Sequence, residues 1–143
     1  MKENETNVLD ELNKGACMGI DAINFIKDKV KDEKLKEQLD RQLDKYKEIS
    51  LKINEIYPEY SKDEPHETNA LNKAMTWYGI EMKTMLDEST SKIAELLLQG
   101  TNMGIIEGRR LLNNKEVDSE VHSLLQEYVT VQEEAVEKLK KFL

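Results

Sequence analysis

The sequence predicts an all-α protein, a bundle of four long helices arranged as two hairpins. Three observations carry that prediction. Charged residues make up 35% of the 143 and apolar residues 38%, with only two Pro and six Gly, a balance that belongs to amphipathic helices rather than strands. Apolar side chains recur at alternating spacings of three and four along four stretches, which places each set on one helix face. One pair of stretches also repeats the other. Gly15-x-x-Met18-Gly19-Ile20 answers Gly100-x-x-Met103-Gly104-Ile105, and each is followed by a short polar link and a helix with a tyrosine in mid-stripe. The chain reads as a single domain over 1–143, with a hairpin at 6–57, a connector helix at 67–87 and a hairpin at 90–143. That length can bury a core without disulfide or metal staples.

The first helix is expected to start at Thr6 or Asn7, either of which can cap it. Leu9, Leu12, Ala16, Gly19, Ile23, Ile26 and Val30 then share one face. Ala16 and Gly19 stand where Leu is the normal filler, so either a neighbour comes close there or room is left for something. Asp32 caps the second helix after a tight link, and its stripe is Leu35, Leu39, Gln42 with Leu43, Tyr46, Ile49, Ile53 and Ile56. So short a link forces an antiparallel pair. Tyr57-Pro58 ends the helix, because the residue before Pro is pushed out of the α region. A polar surface loop follows as far as His66.

Helical pattern resumes near Thr68 or Asn69 with Leu71, Met75, Tyr78, Met82 and Met85, then Ile93, Leu97, Gly100, Gly104 and Leu111. Undivided, it would run about 45 residues, or about 67 Å at 1.5 Å per residue. Asp87-Glu88-Ser89-Thr90-Ser91, poor helix formers and good caps, is read as a break. Asn113-Asn114 closes the glycine-rich helix and Asp118 or Ser119 opens the last. The last helix carries Val121, Leu124 with Leu125, Tyr128, Val131, Ala135, Leu139 and Phe142, and a second stripe of Val129, Val136 and Leu143.

A formal net charge of −8, with no basic stripe interleaved with aromatics, argues against nucleic acid as a partner. Lys27 to Lys34 mixes both signs and reads as a solvated face. No run approaches the ~18–20 apolar residues of a membrane span, and the polar N-terminus has no signal-peptide core. One cysteine excludes an internal disulfide framework. A cytoplasmic location is expected.

The opening Val8-Leu9-x-x-Leu12, the Gly19 segment, the link Asp32-x-x-Leu35, Trp77 in the connector and the second glycine segment follow one another in an order that resembles the ferritin-like superfamily, in an uncharacterised bacterial branch. The resemblance covers nearly the whole chain. It implies a ferritin-like up-down four-helix bundle, built from a duplicated hairpin, with a connector helix near 68–86 crossing it. It also implies a bundle centre where relatives commonly hold two irons. Such a site takes a Glu from each of two helices and a Glu-x-x-His from each of the others. This chain has no Glu-x-x-His. It offers Asp40-Arg41-Gln42-Leu43 and Glu127-Tyr128-Val129-Thr130, with Ile20 and Ile105 where the family tends to place inward carboxylates. The histidines are His66, in the loop, and His122, early in the last helix. The di-iron site is therefore read as lost, and no cofactor is expected.

Three functional readings remain. The first is non-enzymatic, since no nucleophile–base pair and no phosphate-cradling loop is present. The protein then acts through self-association as a homo-oligomer, or through a protein partner the sequence does not identify. The apolar glycine helix and the Val129, Val136, Leu143 stripe motivate that reading. The second is a metal-binding or storage protein using Cys17, Met18, Met103 and Glu107, because thiolate with thioether suits Cu(I) and Glu107 would supply a residual iron ligand. Against it, Met commonly fills gaps beside Gly and packs on aromatics, as Met75, Met82 and Met85 can near Trp77. Glu107 is equally able to pair with Arg109 or Arg110, and otherwise could be a base of raised pKa. Glu11, Asp21 and His122 are read as solvent-facing. The third is a small apolar ligand held near Ala16, Gly19, Thr101, Gly104 and Gly108, where close packing is the favoured alternative. What fills the space beside Gly19 and Gly104 decides among them.

Overall fold

The computed structural model describes residues 2–63 and 89–143. They form four helices: α1 over Lys2–Lys27, α2 over Glu33–Ile56, α3 over Thr90–Asn114 and α4 over Ser119–Leu139. No strand occurs among the described residues. The connector helix expected at 67–87, with His66, Met75, Trp77, Met82 and Met85, lies outside them.

Local chemistry sets the helix ends. α1 begins at Lys2, earlier than the Thr6 or Asn7 cap expected, with Glu3 and Glu5 in its first turn complementing the positive end of the helix dipole. Thr6 is inside the helix, and its hydroxyl donates to the Tyr60 carbonyl at 3.2 Å. α1 stops at Lys27, so Val30 is buried from the link rather than from the helix. Asp32 caps α2 as expected, its Oδ1 accepting from Leu35 N at 2.9 Å. Pro58 falls in a single 3-10 turn, Tyr57–Glu59, that ends the hairpin. Ser89 is extended and its Oγ accepts from Lys92 N at 3.3 Å, so α3 starts at a true cap inside the expected break.

Pairing across the helices gives their directions. Lys27 meets Asp40 while Asp10 meets Tyr57, so α1 and α2 are antiparallel. Gly104 meets Gln132 and Gly108 meets Val129, so α3 and α4 are antiparallel. Tyr46 meets Gln132 and Lys52 meets Glu127, so α2 and α4 are antiparallel as well. α2 and α3 therefore run the same way, and the alternation of direction along the chain is interrupted between the hairpins. Leu9, Leu12, Ile23, Ile26, Leu35, Leu39, Ile49, Ile53, Ile93, Leu125 and Leu139 are fully buried where the four helices meet. Each is worth about 1.5–3 kcal/mol of burial.

α3 is the least embedded helix. It packs mainly on α4 and only lightly on α1, and beyond Thr101 its one buried residue is Gly108. The second stripe of α4 is not the exposed face the sequence suggested. Val129 and Val136 are buried, Val129 against Gly108, and only Leu143 is exposed.

Candidate binding cleft

The glycines of α1 and α3 are seats for side chains from α2 and α4. A methyl group at position 19 would lie 2.6 Å from Cε2 of Tyr46, so the absence of one lets that ring rest on α1. A methyl at 104 would overlap the Gln132 amide in the same way, and one at 15 the Tyr128 hydroxyl. Side chains of α2 and α4 thus lie against Gly19 and Gly104, as close packing expects, but both glycines also line an open cleft, so the packing around them is incomplete.

With the seats taken by α2 and α4, α1 and α3 do not close on each other. A cleft of about 540 Å³ remains between them. Its walls are apolar, with Leu12, Ala22 and Ile23 from α1 and Leu97 and Leu111 from α3. Met18 and Met103 flank the opening, and Gln42, Tyr46, Thr101, Tyr128 and Gln132 form a polar floor. Glu11, Lys14 and Glu107 stand at the rim. Lys14 pairs with Glu11 and Arg110 with Glu107, each at 3.1 Å, so the rim charges are locally compensated.

The floor is a short hydrogen-bonded chain. Gln42 Nε2 donates to the Tyr46 hydroxyl at 3.2 Å, and that hydroxyl donates to Gln132 Oε1 at 3.3 Å. The Thr101 hydroxyl donates to the Leu97 carbonyl at 2.8 Å, in the i to i−4 pattern of helical threonine. Gln42 and Gln132 are 5% and 3% exposed, yet Gln42 Oε1 and Gln132 Nε2 are buried with no hydrogen-bond partner among the described residues. Gln132 faces the Tyr128 hydroxyl closely enough to favour its ionisation, but its Nε2 completes no hydrogen bond there. Burial pushes the Tyr46 phenol up to about 12 against the opposing effect of Gln42 and Thr101, and raises Tyr128 well above the ordinary phenol range. Both phenols stay protonated at neutral pH. The floor offers hydrogen bonds without charge, and neither phenol is activated as a nucleophile or base.

Of the residues singled out for metal, Met18, Met103 and Glu107 line this one cleft, while Cys17 is half-buried and not part of its lining. Glu107 is exposed and bonds Arg110, whereas Arg109 bonds Glu133 at 2.7 Å. Among the described residues, no group of three or more His, Cys, Asp and Glu is placed to hold a metal ion. The amides and phenols of the floor are neutral donors that do not fit the carboxylate-rich set two irons require. Glu11 and His122 are exposed and Asp21 is half-buried.

Gln42 belongs to the stripe expected of α2, whereas Gln132 is absent from the stripe expected of α4. A signal for it exists in the sequence. Gln42 and Tyr46 are spaced i, i+4, and so are Tyr128 and Gln132, in the reverse order on an antiparallel helix. No protein family, curated protein or solved structure matches this chain.

Proposed function

We propose that this is a non-catalytic helical bundle of ferritin-like kind that holds a small, uncharged, largely apolar molecule in the cleft between α1 and α3. The observation that carries this reading is the cleft itself, walled by apolar side chains of α1 and α3 and based on the neutral side chains of Gln42, Tyr46, Thr101, Tyr128 and Gln132. The cleft volume of about 540 Å³ falls in the range of about 300–1,000 Å³ usual for small-molecule sites. Support for the ferritin-like arrangement comes from two antiparallel hairpins whose adjoining helices α2 and α3 run the same way, which demands a long connection such as 57–89. Titration with Nile red, a neutral apolar fluorophore, should saturate near one molecule per chain. Met18→Trp, which fills the opening, should weaken that binding at least tenfold with the helical circular dichroism retained. Unsaturable binding, or equal binding by the Trp variant, would sink the proposal.

A second reading, self-association, draws on Met103 and Ile106, 49% and 50% exposed side by side on α3. Light scattering at working concentration tests it, and a monomeric mass would remove it.

A further inference from the structure

We infer that the occupant of the cleft is a neutral single-chain amphiphile lying lengthwise between α1 and α3, its hydroxyl head at Glu11, Lys14 and Glu107 and its hydrocarbon tail toward Ile23 and Leu97. The inference rests on the small-molecule reading above and specifies the chemistry of its ligand. Shape comes first. The lining runs from Glu11 to Ile23 on α1 and from Leu97 to Leu111 on α3. At about 1.5 Å per residue that is a slot about 18–21 Å long. Spread over such a length, the volume of about 540 Å³ leaves a mean section of about 30 Å². One extended hydrocarbon chain fits that section, and two side by side do not. A C–C bond of about 1.52 Å at an angle of about 111° advances an extended chain by about 1.25 Å, so about 14 chain atoms span the slot.

The two ends of the slot differ in polarity. Tyr128 lies against both Gly15 and Gly108, and the bonded pair Tyr46 and Gln132 lies against Gly19 and Gly104. Position 15 is therefore level with 108, and 19 with 104. At the first level stand Glu11, Lys14 and Glu107, the three charged residues of the lining. Both carboxylates come near enough to the Tyr128 phenol to disfavour its ionisation. Beyond Gly19 and Gly104, at the other end, are Ala22, Ile23 and Leu97. The polar atoms there are spent or enclosed: Gln42 Nε2 donates to the Tyr46 hydroxyl, Gln42 Oε1 is buried, and the Thr101 hydroxyl donates to the Leu97 carbonyl. A tail of methylenes covers that apolar wall and removes it from water. A hydroxyl at the charged end can donate to a carboxylate and accept from the Lys14 ammonium without adding charge. Glu11 is paired with Lys14 and Glu107 with Arg110, so a charged head must break one ion pair to gain another. Met18 and Met103, unbranched and adaptable, flank the chain between the two ends.

The test is displacement of Nile red from the whole chain by hexanol, octanol, decanol and dodecanol, each below its solubility limit. Affinity should rise about two- to fourfold per methylene along the series. 1-Adamantanol, a compact alcohol with as many carbons as decanol, should bind at least tenfold more weakly than decanol, and decanoate and decylammonium should each bind more weakly too. Gly100→Leu, which fills the tail end and favours the helix, should hold dodecanol within about twofold of octanol while leaving hexanol unchanged. In the native complex, nuclear Overhauser effects should join the terminal methyl of decanol to Ile23 and its CH2OH protons to Leu111. Equal binding of decanol and 1-adamantanol would overturn the inference and leave the small-molecule reading standing. So would the reverse pattern of Overhauser contacts, or a series that Gly100→Leu does not shorten. Tighter binding by either charged chain would overturn the neutral head. Failure of Nile red itself to saturate would overturn both the inference and the reading beneath it.

Discussion

The two glycine segments are near copies in sequence and differ in what they receive. On α1, Gly19 seats an aromatic ring, that of Tyr46, and Gly15 a second phenol, that of Tyr128. On α3, Gly104 seats the end of a flexible amide and Gly108 a branched methyl of Val129. The rigid seats belong to the helix embedded in the core, and the softer amide seat to the helix that stands partly away from it. The difference teaches that a small-residue repeat specifies close approach without specifying the guest. Here the guests hold the hairpins together through α2 and α4 and leave α1 and α3 apart, with a polar floor between them.

The largest expected effect concerns the aromatic seat and is seen in alkali. Tyr46 is protonated in both the folded and the unfolded chain below pH 10. Between pH 10 and about 12 the unfolded chain ionises and the buried phenol does not, so its stabilising contribution is lost as the pH rises through that window. A phenol raised from 10 to about 12 puts about 2–3 kcal/mol at stake. Urea unfolding at pH 9 and pH 11.5 should show the loss, and Tyr46→Phe should remove this residue's share of it. Tyr57, Tyr60 and Tyr128 are raised too and should keep theirs.

Next in size is the contrast between the seats themselves. Gly19→Ala places a methyl 2.6–2.9 Å from the Tyr46 ring, which is buried and held through its hydroxyl by Gln42 and Gln132. Overpacking of that kind costs about 1–3 kcal/mol, only partly offset by the better helix propensity of alanine, about 1 kcal/mol. Gly104→Ala meets only the end of the Gln132 side chain, which can rotate, so the propensity gain should leave it neutral or up to about 1 kcal/mol more stable. Thermal or urea unfolding of the two variants side by side checks this, and equal losses would erase the distinction between the seats.

The floor gives an effect of about 1 kcal/mol in the opposite direction from usual core mutations. Gln42→Met, Tyr46→Phe and Gln132→Met together remove the two orphaned polar atoms and the hydroxyl between the two amides while keeping side-chain size. A half-satisfied buried network is worse than an apolar one, so the ligand-free triple variant should be as stable as the native chain or more so. A clear loss in its urea midpoint would mean that the amides already have good partners.

Much of this fold is legible in the sequence because helix periodicity and caps are local. The stripes from Leu9 to Ile53, Asp32, Pro58 and the break that Ser89 caps all follow from residues within a few positions of one another. The start of α1 does not, since Thr6 is a good cap in isolation and a helix-interior residue once its hydroxyl finds the Tyr60 carbonyl, 54 positions away. The cleft is half legible. Small residues at Gly19 and Gly104 announce unusual packing, and Met18, Met103 and Glu107 do fall in one region. Cys17, one residue away on the helix, turns out of it. In the outer stripe Val129 is covered because α3, lacking a side chain at Gly108, comes close to it, and Val136 is buried as well. Gln132 is hidden because a lone polar residue in a stripe becomes informative only when its counterpart Gln42 is known to reach the same hydroxyl.

The methionines at the opening of the cleft between α1 and α3 report directly on whether that space binds a ligand. Met18 and Met103 both line the cleft from opposite helices. In a methyl-labelled sample titrated with Nile red, the Met18 and Met103 resonances should shift together along one saturation curve, with Met18→Trp abolishing the shift of Met103. Unmoved resonances for both methionines at saturating probe would contradict the account.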